Sequence, residues 1–276
     1  MTYKTIIYEV RDEVAILTFN RPEKRNAFDI TMREELAHAV MVVRDDADLK
    51  AMLITGAGEA FCAGGDLQAI TDDKMDARSG RRRIQNIHVW LPQLIGLEIP
   101  VVAAVDGPAY GAGFNLALAC DFVLATPRAR FCAVFGRIGL VPDAGGFFLL
   151  PRIVGLQRAK DLIFTARSVG AEEAERIGIV HEIHPPEALF DRALEFAGRF
   201  RASSRLAIGM AKTVLNQALH LDQHAIAEME AWSQGLALDS DYHKAAVQRF
   251  LDKQPLDYDW DAAVKEGAAK QAAADD

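Results

Sequence analysis

Polar and apolar positions alternate at the start of the chain. Ile6-Ile7-Tyr8-Glu9-Val10 and Val14-Ala15-Ile16-Leu17-Thr18-Phe19 are short β-rich runs flanking Arg11-Asp12-Glu13, and the pattern predicts a hairpin. Pro22 ends the second strand, since proline cannot continue a ladder. Leu36, Val40 and Val43 then recur at helical spacing, with Asp29 or Thr31 as the N-cap. Two unbroken apolar runs, Ala51-Met52-Leu53-Ile54-Thr55 and Val101-Val102-Ala103-Ala104-Val105, read as buried strands. Between them a polar stretch at 71–83 leads into a helix over 83–97 that stops before Pro100. A helix at 114–119 and short strands at 121–125 and 130–133 follow. From Gly155 onward helical patterns dominate, apart from a short strand signal at 179–183. This shift predicts an α/β core over 1–200 and a helical region over 201–276, with no internal repeat.

A glycine-rich segment follows each buried run: Phe61-Cys62-Ala63-Gly64-Gly65-Asp66-Leu67 and Gly107-Pro108-Ala109-Tyr110-Gly111-Ala112-Gly113. Strand ends that turn through glycine can aim free backbone N–H groups at one point. Two such groups from different loops form an oxyanion hole, which points to chemistry on a carbonyl whose oxygen gains negative charge. A third glycine-rich turn spans 138–146.

Composition narrows the field. With 276 residues, half of them hydrophobic, the chain can bury a large core. A net charge of −8 argues against nucleic acid or an anionic membrane as partner. Arg81-Arg82-Arg83 is a local basic exception and reads as a solvated loop or helix start. No apolar run is long enough to span a membrane. Cys62, Cys120 and Cys132 lie among apolar neighbours without metal or disulfide spacing, as expected of a cytoplasmic protein in a reducing compartment. Gly56-Ala57-Gly58 falls short of a dinucleotide fingerprint because the last glycine is absent. The pairs His181/His184 and His220/His224 lack a third metal ligand. No Gly-x-Ser-x-Gly elbow is present.

Together these segments resemble the crotonase (enoyl-CoA hydratase/isomerase) superfamily over nearly the whole chain. Asn20-Arg21-Pro22-Glu23-Lys24-Arg25-Asn26-Ala27 resembles the family's early CoA-contacting turn, and the two glycine loops resemble its oxyanion loops. The segment at 138–151 resembles its acid/base turn, and Phe250-Leu251-Asp252-Lys253 the segment near the adenine end of CoA. The resemblance implies a spiral of β-β-α turns with a helical C-terminal region that assembles trimers or dimers of trimers. It implies an acyl-CoA substrate, with coenzyme A arriving as part of it and no metal or separate cofactor. The N–H groups of Gly65 and Ala112 become the oxyanion donors. Arg25, Ala27, Ala63, Asp66, Leu67, Asn115, Phe135, Phe250 and Lys253 become the substrate- and CoA-binding set.

The chain departs from the hydratase pattern where it matters most. The two glutamates typical of hydratases would fall at Asn115 and Phe135, and neither residue exchanges a proton at neutral pH. One carboxylate remains, Asp143, among Phe135, Leu140, Val141, Phe147 and Phe148. A single acid/base suits moving a double bond, because it takes a proton from one carbon and returns it to another. The competing role for Asp143 is an N-cap for a helix starting near Ala144. Asp66 is expected to brace its loop through backbone N–H groups. Double-bond isomerisation is the reading, with hydration of a 2-enoyl-CoA and a non-catalytic acyl-CoA-binding protein as the alternatives.

Overall fold

Asp12 and Glu13 both take positive φ, 46° and 64°, the twist-matched turn that joins β1 (Ile6–Arg11) to β2 (Val14–Phe19). The computed structural model describes residues 2–68, 76–262, 264 and 265. Strands β3 (Ala51–Gly56), β4 (Val101–Val105), β5 (Pro108–Tyr110), β6 (Phe122–Ala125), β7 (Arg130–Cys132), β8 (Val169–Gly170) and β9 (Glu182–Ile183) follow. They form a six-stranded sheet, ordered β1-β2-β3-β4-β6-β9, and a three-stranded sheet, β5-β7-β8. After the opening hairpin every pairing in the large sheet is parallel.

Both faces of the large sheet are covered, so its strands read as continuous apolar runs. Leu17, Phe19, Met52, Ile54, Val101 and Val105 face the main core. That core also takes the inner faces of α1 (Ile30–Asp45) and α2 (Ala77–Ile95). Val14, Ile16, Leu53 and Val102 point the other way, onto Leu189, Ala193 and Phe196 of a later helix.

Between these lie α3 (Ala112–Leu118), α4 (Gly146–Val154), α5 (Leu156–Thr165) and α6 (Ala171–Arg176). The helix over the outer face is α7 (Pro186–Gly198). The chain then runs through α8 (Arg205–Gln217), α9 (Gln223–Asp239) and α10 (Asp241–Leu251). Helix α8 docks on the core through buried Lys212, whose Nζ donates to Asp121 at 2.6 Å and to the Ile99 carbonyl at 3.1 Å. Neither α9 nor α10 buries a residue. Trp232, Leu236 and Phe250 are instead exposed.

Asp29 caps α1, accepting from the Met32 N–H at 2.8 Å. Helix α2 begins earlier than the expected position 83, because Asp76 caps it by accepting from the Ser79 N–H at 2.7 Å. Its first turn, Ala77-Arg78-Ser79-Gly80, carries no apolar period to betray it. The expected polar stretch at 71–83 is thus helical from Ala77, and its part at 71–75 lies outside the described residues. The strand signal at 179–183 shortens to Glu182–Ile183. Strands β5 and β8 were not foreseen, since runs of three and two residues carry no period.

Candidate active site

The two glycine loops are hydrogen-bonded to each other. The Cys62 N–H donates to the Pro108 carbonyl at 3.0 Å, and the Tyr110 N–H returns to the Cys62 carbonyl at 2.9 Å. Two glycines make the approach possible. Gly64 sits at φ 97°, and a Cβ on Gly113 would lie 2.4 Å from the Cys62 carbonyl oxygen. On its other side the first loop pairs with the turn before α1. The Phe28 N–H donates to Gly64 at 2.7 Å, Asp66 to Phe28 at 3.0 Å and Ala63 to Arg25 at 2.9 Å.

This ladder leaves the Gly65 N–H outside it. Ala112 is the first residue of α3, where an N–H has no intrahelical acceptor. Neither group donates a backbone hydrogen bond among the described residues. Gly65 and Ala112 line one pocket, and Asp143 lines it with them.

Asp143 does not cap a helix. Ala144 and Gly145 take φ of 42° and 80°, and this left-handed pair delays α4 to Gly146 rather than the expected Ala144. Gly145 is the cap residue, with no side-chain cap bond. The Asp143 Oδ1 is buried and without a hydrogen bond. Burial pushes its carboxyl above the ordinary range, against the opposing pull of Arg83, Arg33 and His88.

Asn115, 1% exposed, lies behind this turn, and its Nδ2 donates to the Asp143 carbonyl at 2.8 Å. It holds the backbone that carries the carboxylate and does not line the pocket. Phe135 is buried against Gly111 and is likewise outside the lining.

The remaining expected contacts spread along the loops. Arg25, at φ 50°, is exposed beside buried Ala27, and Leu67 is exposed at the far end of the first glycine loop. Asp66 braces its loop, accepting from the Gln68 N–H at 3.2 Å and pairing with Arg21 at 3.2 Å. Phe250 is 71% exposed near the end of α10, with Lys253 just beyond it at φ 55°. Neither lines the pocket. The Cys62 thiol is fully buried and pushed up to about 12, so it packs as a hydrophobe.

Four residues escaped the sequence reading. Asn26 is fully buried, and its side chain accepts from the Arg21 N–H and donates to the Ala57 and Ala60 carbonyls, tying the early turn to the loop. Arg21 pairs with Asp66 and with Asp29, at 3.4 Å. Arg33 and Arg83 both line the pocket. The early turn at 20–27 contains the first two, whereas Arg83 was hidden inside a basic triplet that reads as solvated surface.

A two-sheet α/β core, helical C-terminal elements and two glycine loops meeting over one carboxylate define the crotonase fold. The family model for enoyl-CoA hydratase/isomerase matches residues 9–261. The chain belongs to this family, whose members are enzymes acting on acyl-CoA thioesters. It is 34% identical over 260 residues to a crotonyl-CoA hydratase of Syntrophomonas wolfei, covering 94% of this chain and 99% of the relative. It is 35% identical over 253 residues to a 1,2-epoxyphenylacetyl-CoA isomerase of Escherichia coli, covering 90% and 96%. A crystal structure of an enoyl-CoA hydratase/isomerase from Cupriavidus metallidurans superposes with a TM-score of 0.88 at 41% identity, covering 94% of this chain and 97% of that one. Relatives of both reaction types are thus similar to this chain at comparable identity.

Proposed function

We propose that this enzyme moves a carbon–carbon double bond within an enoyl-CoA. One observation carries the reading: Asp143 is the only carboxylate among the described residues lining the pocket, and its Oδ1 is buried without a partner. The Gly65 and Ala112 N–H groups donate to the thioester oxygen. Asp143 removes a proton from C2 of a 3-enoyl thioester, and the electron pair moves into the carbonyl to give a dienolate. A pair of aimed donors stabilises that oxyanion by roughly 3–4 kcal/mol each. The protonated Asp143 then delivers the same proton to C4, and the double bond comes to rest between C2 and C3. Its raised pKa favours both halves of the transfer near neutral pH.

Hydration would ask for a second acid, and Asn115 and Phe135 stand where one would be expected. The test is incubation with 2-enoyl- and 3-enoyl-CoAs, following product mass. An unchanged mass with a shifted double bond is expected. Gain of one water as the dominant outcome refutes the proposal, and absence of any turnover leaves only an acyl-CoA binder. The proposal includes self-association as a trimer or dimer of trimers through 201–276, supported by the exposed apolar side chains of α9 and α10. Light scattering that returns the monomer mass refutes that part.

A further inference from the structure

Two guanidinium groups enter the pocket from different helices, Arg33 from α1 and Arg83 from α2. They face one carboxylate, Asp143. Among the described residues neither arginine forms an ion pair with any acid. Arg33 donates its Nε to the Asp29 carbonyl at 3.0 Å, whereas the Arg83 Nε is buried with no hydrogen bond. The two cations repel each other, and burial together with that repulsion weakens the proton affinity of Arg33. Arginine stays charged regardless. Among the described residues the pocket lining therefore carries an excess of positive charge and an unsatisfied donor beside Asp143.

Holding Asp143 ionised is the simplest task for such a pair. Asp143 is nevertheless pushed up rather than down, and no hydrogen bond reaches its Oδ1. Arg83 and Arg33 pull that carboxyl down without outweighing its burial, and neither guanidinium makes a hydrogen bond or ion pair with it. Both arginines are half-buried, the Arg83 Nε is buried without an acceptor, and the planar fork of guanidinium donors matches a carboxylate.

We infer that the acyl group this enzyme accepts carries its own carboxylate, bound by Arg83 and Arg33 in the pocket that holds the thioester carbonyl at Gly65 and Ala112. The inference rests on the acyl-CoA reading above and names its substrate class, a dicarboxylic acyl thioester. The diphosphate of coenzyme A offers the same anionic chemistry. It is common to every acyl-CoA, so a comparison at fixed coenzyme separates the two.

The experiment measures the affinity of the intact protein for glutaryl-CoA and for pentanoyl-CoA, which share five acyl carbons and differ in the terminal carboxylate. At least tenfold tighter binding of glutaryl-CoA is expected. That ratio should fall towards one in Arg83→Met and recover in part in Arg83→Lys, with Arg33→Met as an independent second variant. Equal affinities in the wild-type protein, or tighter pentanoyl-CoA, overturn the inference while leaving the acyl-CoA reading intact. So does a variant that weakens both ligands alike, which assigns the arginines to the coenzyme phosphates. If neither thioester binds, the acyl-CoA reading fails and the inference fails with it. The wild-type ratio decides even where a variant does not fold.

Discussion

Gly146→Ala sets two effects against each other at the turn carrying Asp143. Gly146 opens α4 with an ordinary φ, so propensity alone predicts a gain of at most about 1 kcal/mol. A Cβ there would lie 2.5 Å from Asn115 Nδ2 and 2.9 Å from its Cγ and Oδ1. Asn115 is 1% exposed and cannot swing away. Overpacking of this kind costs about 1–3 kcal/mol. Pushing the amide off the Asp143 carbonyl adds about 1 kcal/mol. The steric effect wins, leaving a net loss of about 2 kcal/mol and a melting temperature lower by about 4–8 °C. Turnover should also fall, by about 100-fold for a displacement near 1 Å, because the carboxylate rides on the displaced carbonyl. Calorimetry and initial rates read the two effects. Gly80→Ala is the control: it lies in α2, and its Cβ would meet nothing within 4 Å. It should stabilise by up to about 1 kcal/mol. A Gly146→Ala protein as stable and active as wild type refutes the idea that Asn115 positions the Asp143 turn.

Asp143→Asn should lower turnover by about 100- to 10,000-fold while acyl-CoA still binds. It should also raise stability at neutral pH. The folded carboxyl is pushed up, so wild type loses stability as pH rises from the unfolded value near 3.9 through the raised one, and asparagine does not. Urea midpoints at acid and neutral pH check the sign: the variant's advantage should vanish in acid. Glu35→Gln should do the reverse, costing about 2–3 kcal/mol at neutral pH. Its folded pKa is lowered, so this contribution is lost in wild type as pH falls through that range. Lys212→Met should cost about 3 kcal/mol by leaving Asp121 without its cation, and denaturation midpoints measure it.

The elements that pack on both faces were legible because burial writes unbroken apolar runs, as at Ala51–Gly56 and Val101–Val105. The glycine loops were legible for a related reason: close backbone approach excludes every side chain at Gly64 and Gly113. Strands β5 and β8 were not, since their residues are too few for any period. The start of α2 was missed because its cap, Asp76, follows a polar stretch and precedes a polar first turn. At the site, the sequence placed Gly65, Ala112 and Asp143 in three separate segments, and only the fold brings them to one pocket. It left open whether Asp143 caps α4, a question that two left-handed residues, Ala144 and Gly145, answer against the cap. Neither Arg33 nor Arg83 was legible as a cation of the pocket. The facing of α1 against α2 is a tertiary fact, and an arginine on either helix reads locally as surface.

Glu35 and Asp143 carry the same functional group and have opposite fates. Glu35 is 2% exposed, and burial alone would raise its pKa. It is lowered instead, because the Thr5 hydroxyl and the Thr5 and Lys4 N–H groups donate to it at 2.6, 2.8 and 2.7 Å. Asp143 has Arg83, Arg33 and His88 nearby yet no donor on its Oδ1, and burial raises it. Direct hydrogen bonds, not nearby charge alone, decide the direction in which each buried carboxyl shifts here. The same fold that satisfies Glu35 with three donors places the Asn115 amide against the Asp143 turn. That amide is spent on the Asp143 backbone carbonyl, which fixes the turn and leaves the carboxylate unquenched. A carboxylate anchored by its backbone and with its Oδ1 unsatisfied is what the proposed isomerisation asks for, since the proton it would carry comes from the substrate.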